Sequence, residues 1–359
     1  MHTDIAVVLG TRPEIIKLAR VIALLGPATR LIHTGQHYDD ALSRVFLDAF
    51  QLPEPEIYLG IGGNSRGEQI AAGVGSLTAH LSGHRPSAVV VQGDTNTTLA
   101  AGLAANSLEL PLVHIEAGLR SFDRRMPEEH NRVLTDHLSD LLCAPTQVSR
   151  ANLLAEGIPE SRVVVTGNTV VEALTLLIPD DPQPILAEHQ VKPGEFVLAT
   201  FHRPENVDTI TNLRQILGEL ARLPLPVLLP LHPRTAANIR KFELDEVAAR
   251  LMVIPPIDYP SFLGLAAACA FLVSDSGGVQ EEASVLKRPV LVVRNSTERP
   301  EVVGTFAELV QPGPAIGKVA GRWLTDLAGL HARLADIPTP YGDGTAARRS
   351  VEAIQAMLK

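Results

Sequence analysis

The sequence predicts an α/β protein: two Rossmann-like domains, each built on a parallel sheet, facing each other across a cleft. Three observations carry that prediction. Short, uninterrupted runs rich in β-branched residues recur, each followed by turn residues and a longer helical pattern, which is how parallel strands covered on both faces read. The pattern stops at a proline-rich stretch and then restarts. A length of 359 residues is enough for two cores of ordinary size.

In chain order, the first domain offers strands at 5–9 (IAVVL), 29–33 (TRLIH), 87–91 (SAVVV), 111–115 (PLVHI), 141–145 (LLCAP) and 162–166 (RVVVT). Between Leu177 and Glu195 lie four prolines and no clear period, which predicts an interdomain connector. Buried strands then return at 196–200, 226–231, 251–256, 270–274 and 289–293. The expected domains are residues 1–172 and 173–344. A closing amphipathic helix within 345–359 is expected to pack back on the first domain.

Composition excludes several functions. The formal net charge is −9, with 13 basic against 18 acidic residues over 1–170 and 18 against 22 over 171–359. Neither half is a basic nucleic-acid surface, so no nucleic-acid partner is expected. The longest apolar stretch, FLGLAAACAFLVS, has 13 residues, too few to cross a bilayer. The start, MHTDIAVVLGTRPE, has no basic segment before its apolar core, so no secretory leader is read there. Cys143 and Cys269 sit in apolar surroundings and read as reduced core residues, which predicts a cytoplasmic protein.

Open parallel sheets bind ligands beyond the carboxyl ends of their strands, and that is where the polar motifs fall. After the first strand, GTRPEIIK sets Gly10 in a tight turn, Arg12 at a helix start, and Lys17 one turn inside. A cation at a helix N-terminus opposes the macrodipole, so Arg12 suggests an anion to be met; a solvated turn arginine explains it as well. GDTNTT places Asp94 at the tip of strand 87–91, where a helix N-cap would also account for it. The neighbouring strand ends in Glu116, and adjacent strands lie roughly 5 Å apart, so the two carboxylates are expected to converge. Pro127 then opens a helix with Glu128 and Glu129 in its first turn. Glu128 is expected to complete a three-carboxylate cluster, with Arg132 limiting the repulsion, whereas Glu129 needs no role beyond the helix dipole. Crowded carboxylates suit proton exchange near neutral pH.

In the second half, His202 and Arg203 follow one strand end and His232 and Arg234 another. Phosphate contact or catalysis fits His202, and a structural role fits His232. No HxxxH or CxxC pair supports a metal site at His202, His232 and Asp275, so none is expected. LVSDSGGVQEEASV ends a buried strand at Ser274 and turns through Ser276, Gly277 and Gly278 into a helix, letting backbone N–H groups approach a diphosphate. Glu282, a turn inside, is placed for ribose hydroxyls, and Arg299 in STERPE offers a cation to the same phosphates.

With GTRPE, TGQHYD, GDTNTT, HIEAGLRSFDRRMPEEHNR, TGNTVVEAL, HRPENVD, DSGGVQEEA, STERPE and PYGDG in place, the chain resembles the non-hydrolysing UDP-N-acetylglucosamine 2-epimerases nearly end to end. The resemblance implies a GT-B type fold and a cytoplasmic homodimer serving polysaccharide biosynthesis. UDP would lie mainly on the C-terminal domain and the sugar toward the N-terminal carboxylates. It implies Asp94, Glu116, Glu128 and His202 as catalytic residues, and Arg12, Phe262, Ser276, Gly277, Gly278, Glu282 and Arg299 as nucleotide-binding; Lys17, Arg132 and Arg203 are counted with the substrate-binding set. The implied reaction eliminates UDP across C1–C2 to 2-acetamidoglucal and adds it back, with no nicotinamide, other cofactor or metal. A hydrolysing relative releasing N-acetylmannosamine and a glycosyltransferase of the same fold are the alternatives. Where bacterial members carry a QHxxQ-like segment beside a second, activating substrate molecule, this chain reads Gln36-His37-Tyr38-Asp39, a departure that argues against an activator site.

Overall fold

The computed structural model describes residues 4–36 and 40–359. It divides into two compact units, one of residues up to Ala173 together with Tyr341–Lys359, the other Leu174–Pro340. His37, Tyr38 and Asp39 of the segment compared above lie outside the described residues.

The first unit holds a seven-stranded sheet of β1 (Ile5–Leu9), β2 (Thr29–His33), β3 (Ile57–Tyr58), β4 (Ala88–Gln92), β5 (Leu112–Ile115), β6 (Leu141–Ala144) and β7 (Val163–Val165). Their spatial order is β3-β2-β1-β4-β5-β6-β7, and every pairing is parallel. Val7 sits in register with Leu31 on one side and Val90 on the other, so β1 is central and wholly buried. That burial is why these strands read as continuous apolar runs. The helix Arg12–Leu25 follows β1, with a proline in its first turn, and turns Ile15, Ile16, Leu18, Ala19 and Ile22 into the core. It stops at Gly26, whose φ of +65° suits a residue without a Cβ.

The second unit repeats the scheme with β8 (Val197–Thr200), β9 (Val227–Pro230), β10 (Met252–Ile254), β11 (Phe271–Ser274), β12 (Val290–Val293) and β13 (Ala307–Val310), in the order β10-β9-β8-β11-β12-β13. These pairings too are parallel. Its core joins Val197, Phe271 and Leu291 to Leu213, Leu217 and Ile316 from flanking helices. Fully burying each such side chain contributes about 1.5–3 kcal/mol.

Two strands went unread from the sequence: β3 has only two residues, and β13 carries Glu308 within its run. The connector is not irregular throughout, because Gln183–Glu188 forms a helix that buries Leu186. The helix Ala346–Met357 packs on the helix Arg12–Leu25 and on β6, and Glu172 accepts from Ala347 N at 2.9 Å. Cys143 and Cys269 are free and buried, and burial pushes both thiols up to about 12. No helix among the described residues is long and apolar enough to cross a membrane.

Candidate active site

In each sheet the winding direction reverses between the first strand and the fourth: β1 against β4, and β8 against β11. Loops leaving these two strand ends diverge to opposite faces and open a crevice there. The candidate residues gather at those two points.

In the first unit, Gly10 leaves β1 in a place no side chain fits. A Cβ there would lie 1.9 Å from Thr34 Oγ1 and 2.5 Å from Thr97 Oγ1. Arg12 is exposed at the helix start, its guanidinium 5.8 Å from the Phe46 ring centre. Lys17 points inward, with Nζ 2.5 Å from Glu116 Oε2, and Gln92 Nε2 donates to the same oxygen at 2.9 Å. Lys17 thus meets a carboxylate of its own unit, where the sequence had counted it with the substrate-binding set. Glu116 itself is 6% exposed and has φ +70°, a left-handed backbone that a non-glycine residue adopts only at a cost of about 1–3 kcal/mol.

Asp94 and Arg132 form an ion pair through Nε (3.1 Å) and Nη2. Arg132 Nη1 also binds Glu129, and here the sequence reading needs correction. Glu129 is 5% exposed, not a surface dipole residue. Its carboxylate accepts from Ser121 N (2.9 Å), Ser121 Oγ (2.9 Å) and Phe122 N (2.8 Å). It folds the charged crossing loop, including Phe122 at φ +57°, onto the helix start. Glu128, one residue earlier, is exposed. Glu116 and Asp94 thus each meet a cation of their own, Lys17 and Arg132, where the sequence had offered Arg132 alone.

In the second unit, Asp275 is fully buried. It gathers His202 N (3.2 Å), Arg203 N (3.0 Å) and Asn206 Nδ2 (3.1 Å) around its carboxylate, and Arg203 Nε donates to its carbonyl at 2.9 Å. His202 Nδ1 lies 3.3 Å from Asp275 Oδ1, with the side chain 42% exposed. Partial burial lowers the His202 pKa and outweighs the opposing pull of Asp275. The helix Gly277–Leu286 begins beyond Asp275, and Ser276 at its N-cap makes no capping bond through its side chain. A Cβ on Gly277 would fall 2.5 Å from Glu298 Oε1, whereas one on Gly278 would meet nothing nearer than 3.6 Å.

Beneath that turn lies a charge network the sequence reading missed. Arg299 donates to Glu281 Oε1 through Nε at 2.9 Å and pairs with Glu298 at 2.6 Å, while Arg294 pairs with Glu298 at 2.8 Å. Arg299, predicted as a phosphate cation, is thus 6% exposed and braces the glycine turn from within. Glu282 is buried too, accepting from Tyr259 Oη at 2.7 Å, and the Tyr259 ring stacks on half-buried Phe262 with centres 6.5 Å apart. No group of three His, Cys, Asp or Glu side chains that could hold a metal occurs among the described residues. His232 caps the helix Pro233–Lys241 by accepting from Arg234 N.

A family model described as UDP-N-acetylglucosamine 2-epimerase matches residues 26–355. The chain belongs to the UDP-N-acetylglucosamine 2-epimerase family. It is 37% identical to the UDP-N-acetylglucosamine 2-epimerase of Methanocaldococcus jannaschii over 98% of each chain. It is 36% identical to the UDP-2,3-diacetamido-2,3-dideoxy-D-glucuronate 2-epimerase of Pseudomonas aeruginosa, over 97% of this chain and 98% of that one. The crystal structure of the M. jannaschii UDP-GlcNAc 2-epimerase in complex with UDP-GlcNAc and UDP aligns with a TM-score of 0.87, 36% identity and coverage of 98% of this chain and 99% of that one.

Within this member of the family, Glu14 was not anticipated. It is buried and accepts from Gly10 N (2.9 Å), Thr95 Oγ1 (2.7 Å) and Thr98 Oγ1 (3.2 Å), tying both sides of the β1/β4 crevice together, and burial raises its pKa. The available signal was its place in GTRPE, where a glutamate in the first turn of a helix reads as dipole compensation. Gln36 adds a second tie, accepting from Thr97 N at 2.8 Å.

Proposed function

We propose that this chain interconverts UDP-GlcNAc and UDP-ManNAc without releasing free sugar. A carboxylate among Asp94, Glu116 and Glu128 takes the proton from C2. The C1–O bond breaks, its electron pair leaves on the β-phosphate oxygen of UDP, and 2-acetamidoglucal remains. A proton returned to C2 from the opposite face, with the phosphate oxygen bonding C1 again, gives the epimer. The observation that carries this reading is Glu116: a buried carboxylate, on strained backbone at a strand end, matched by Lys17 at 2.5 Å.

The remaining roles follow from placement. Gly277 and Gly278 offer backbone N–H groups and Ser276 its hydroxyl to the diphosphate, Ser276 N itself donating to Ser274 Oγ at 3.0 Å, and exposed Arg12 adds a cation. Glu282, with Tyr259 and Phe262 beside it, serves the nucleoside. Arg203 and Arg299 shape the phosphate turn, and Lys17 and Arg132 act through the carboxylates they hold. His202, its ring held beside Asp275 with the side chain partly exposed, contacts the leaving phosphate. In this reading the enzyme is a cytoplasmic homodimer serving polysaccharide biosynthesis and needs no nicotinamide and no metal.

Incubation with UDP-GlcNAc in deuterated water, followed by NMR, tests the proposal. The expected result is UDP-ManNAc with deuterium at C2, unaffected by EDTA. Product without label refutes the elimination route, and free N-acetylmannosamine indicates the hydrolysing reaction. The 36% identity to the P. aeruginosa relative favours a second substrate, and the same assay run with UDP-2,3-diacetamido-2,3-dideoxy-D-glucuronate decides between the sugars.

A further inference from the structure

Two residues before Glu116, β5 carries His114, whose ring is fully buried. Its Nε2 lies 2.7 Å from the Gly93 carbonyl oxygen and its Nδ1 2.7 Å from Asp136 Oδ1. A carbonyl only accepts, so Nε2 carries the hydrogen shared with Gly93, and Nδ1 faces the Asp136 carboxylate. The second oxygen of Asp136 accepts from Gly118 N at 3.2 Å and pairs with Arg120 Nη1 at 2.7 Å, and Arg120 continues to Glu156.

The two backbone groups this network holds are the informative ones. Gly93, at φ +72°, is the residue before Asp94. Gly118, at φ +84°, comes two after Glu116, and a Cβ there would lie 2.4 Å from the Ser149 carbonyl oxygen. A buried histidine–aspartate pair therefore grips both turns that aim the two carboxylates. Stability alone does not account for it, since buried ion pairs replaced by well-packed apolar residues are often neutral or stabilising. We propose that His114 and Asp136 are positioning residues that fix Asp94 in register with Glu116 for the proton transfers at C2. The inference rests on the reading above, in which those carboxylates do the chemistry.

Two substitutions separate the halves of the device. His114→Asn keeps a donor near Nδ1, facing Asp136, and loses the one to Gly93; His114→Gln reaches as far as Nε2 and keeps the bond to Gly93. With UDP-GlcNAc in deuterated water, His114→Asn should lower kcat for labelling by about 10–100-fold, with KM and UDP affinity within about twofold, while His114→Gln recovers most of the rate. Equal kcat in both variants and the parent overturns the proposal, as do losses that only track melting temperature. If neither variant folds, nitrogen-15 NMR of the unmutated protein decides: an Nε2–H of His114 coupled to the Gly93 carbonyl supports it, and a bare Nε2 refutes it. A parent enzyme that labels nothing would instead refute the epimerase reading, and the NMR result would still judge His114.

Discussion

Glu128 and Glu129 are adjacent in one helix turn, yet their amides should fail in opposite ways. In Glu129→Gln one carboxylate oxygen becomes an NH2. The least costly orientation keeps the oxygen toward Ser121 and Arg132 and turns the NH2 toward Phe122 N, where two donors then face each other at about the present 2.8 Å. An unsatisfied buried donor costs about 1–3 kcal/mol, and weakening the charge-assisted bond to Arg132 adds about 1.5 kcal/mol. Arg132 retains Asp94, which spares the full penalty of a stranded buried charge. A total of about 3 kcal/mol, in a unit of this size, lowers the melting temperature by roughly 6–12 °C.

Glu128→Gln removes charge from an exposed side chain, so stability should stay within about 0.5 kcal/mol. If Glu128 exchanges a proton with the substrate, kcat should nonetheless fall by about 10²–10⁴ while UDP affinity holds. Thermal unfolding by circular dichroism and NMR of the epimerisation read the two quantities separately. A Glu128→Gln enzyme with more than half its activity, or a Glu129→Gln protein that melts with the parent, would refute the assignment.

Three further outcomes follow from the geometry. Gly278→Ala should leave the melting temperature unchanged, because its Cβ meets only ordinary contacts, yet weaken UDP by about tenfold or more if the backbone lies against phosphate; Gly277→Ala should lose both, since its Cβ strikes Glu298. Lys17→Gln should lower kcat with UDP affinity intact, as measured by calorimetry; a selective loss of UDP affinity would return Lys17 to the phosphates. His202 titrates below its ordinary value of about 6.5 in the folded chain, so the unfolded chain takes up the proton first as pH falls. Its contribution to stability is therefore complete above about pH 6.5 and is lost as pH drops through the folded value. Urea midpoints at descending pH should fall more steeply for the parent than for His202→Gln, and parallel curves would show no such linkage.

The parts of this fold legible in the sequence were those that bury themselves by pattern. The central strands are apolar throughout because helices cover both faces, so β1, β4 and β11 could be read to within a residue. Two edge strands escape that logic, β3 because it has only two residues and β13 because Glu308 interrupts its run, while the edge strands β7 and β10 kept apolar runs that could be read. The glycine turn was legible as a turn because Ser276, Gly277 and Gly278 follow a buried strand directly and open a helix. Pairing was not. Nothing in EE distinguishes the exposed glutamate from the buried one, and the distinction arises only when Ser121 and Phe122 fold back over residue 129. STERPE was read as an ally of the glycine turn, yet that Arg299 spends its charge on Glu281 and Glu298 depends on distances no spacing encodes.

The two crevices occupy equivalent places in equivalent sheets, and their different contents suit different tasks. At β1/β4, Glu116 and Asp94 each have a cation in contact, Lys17 and Arg132, so these two acids are balanced where they stand. That balance matters for a ligand that is itself anionic, because unpaired carboxylates would repel it and would favour their own neutral forms. At β8/β11 the order is reversed. The arginines are engaged by glutamates, and what faces the crevice is an uncapped helix start whose N–H dipoles need no counter-ion and do not reorganise as charge develops on a departing diphosphate. In the reaction proposed above, the first unit's carboxylates would serve as proton acceptors and the second unit's helix start would supply fixed dipoles for the leaving group. The proposed elimination and re-addition would call on both, because the same phosphate must leave readily and yet stay held long enough to return.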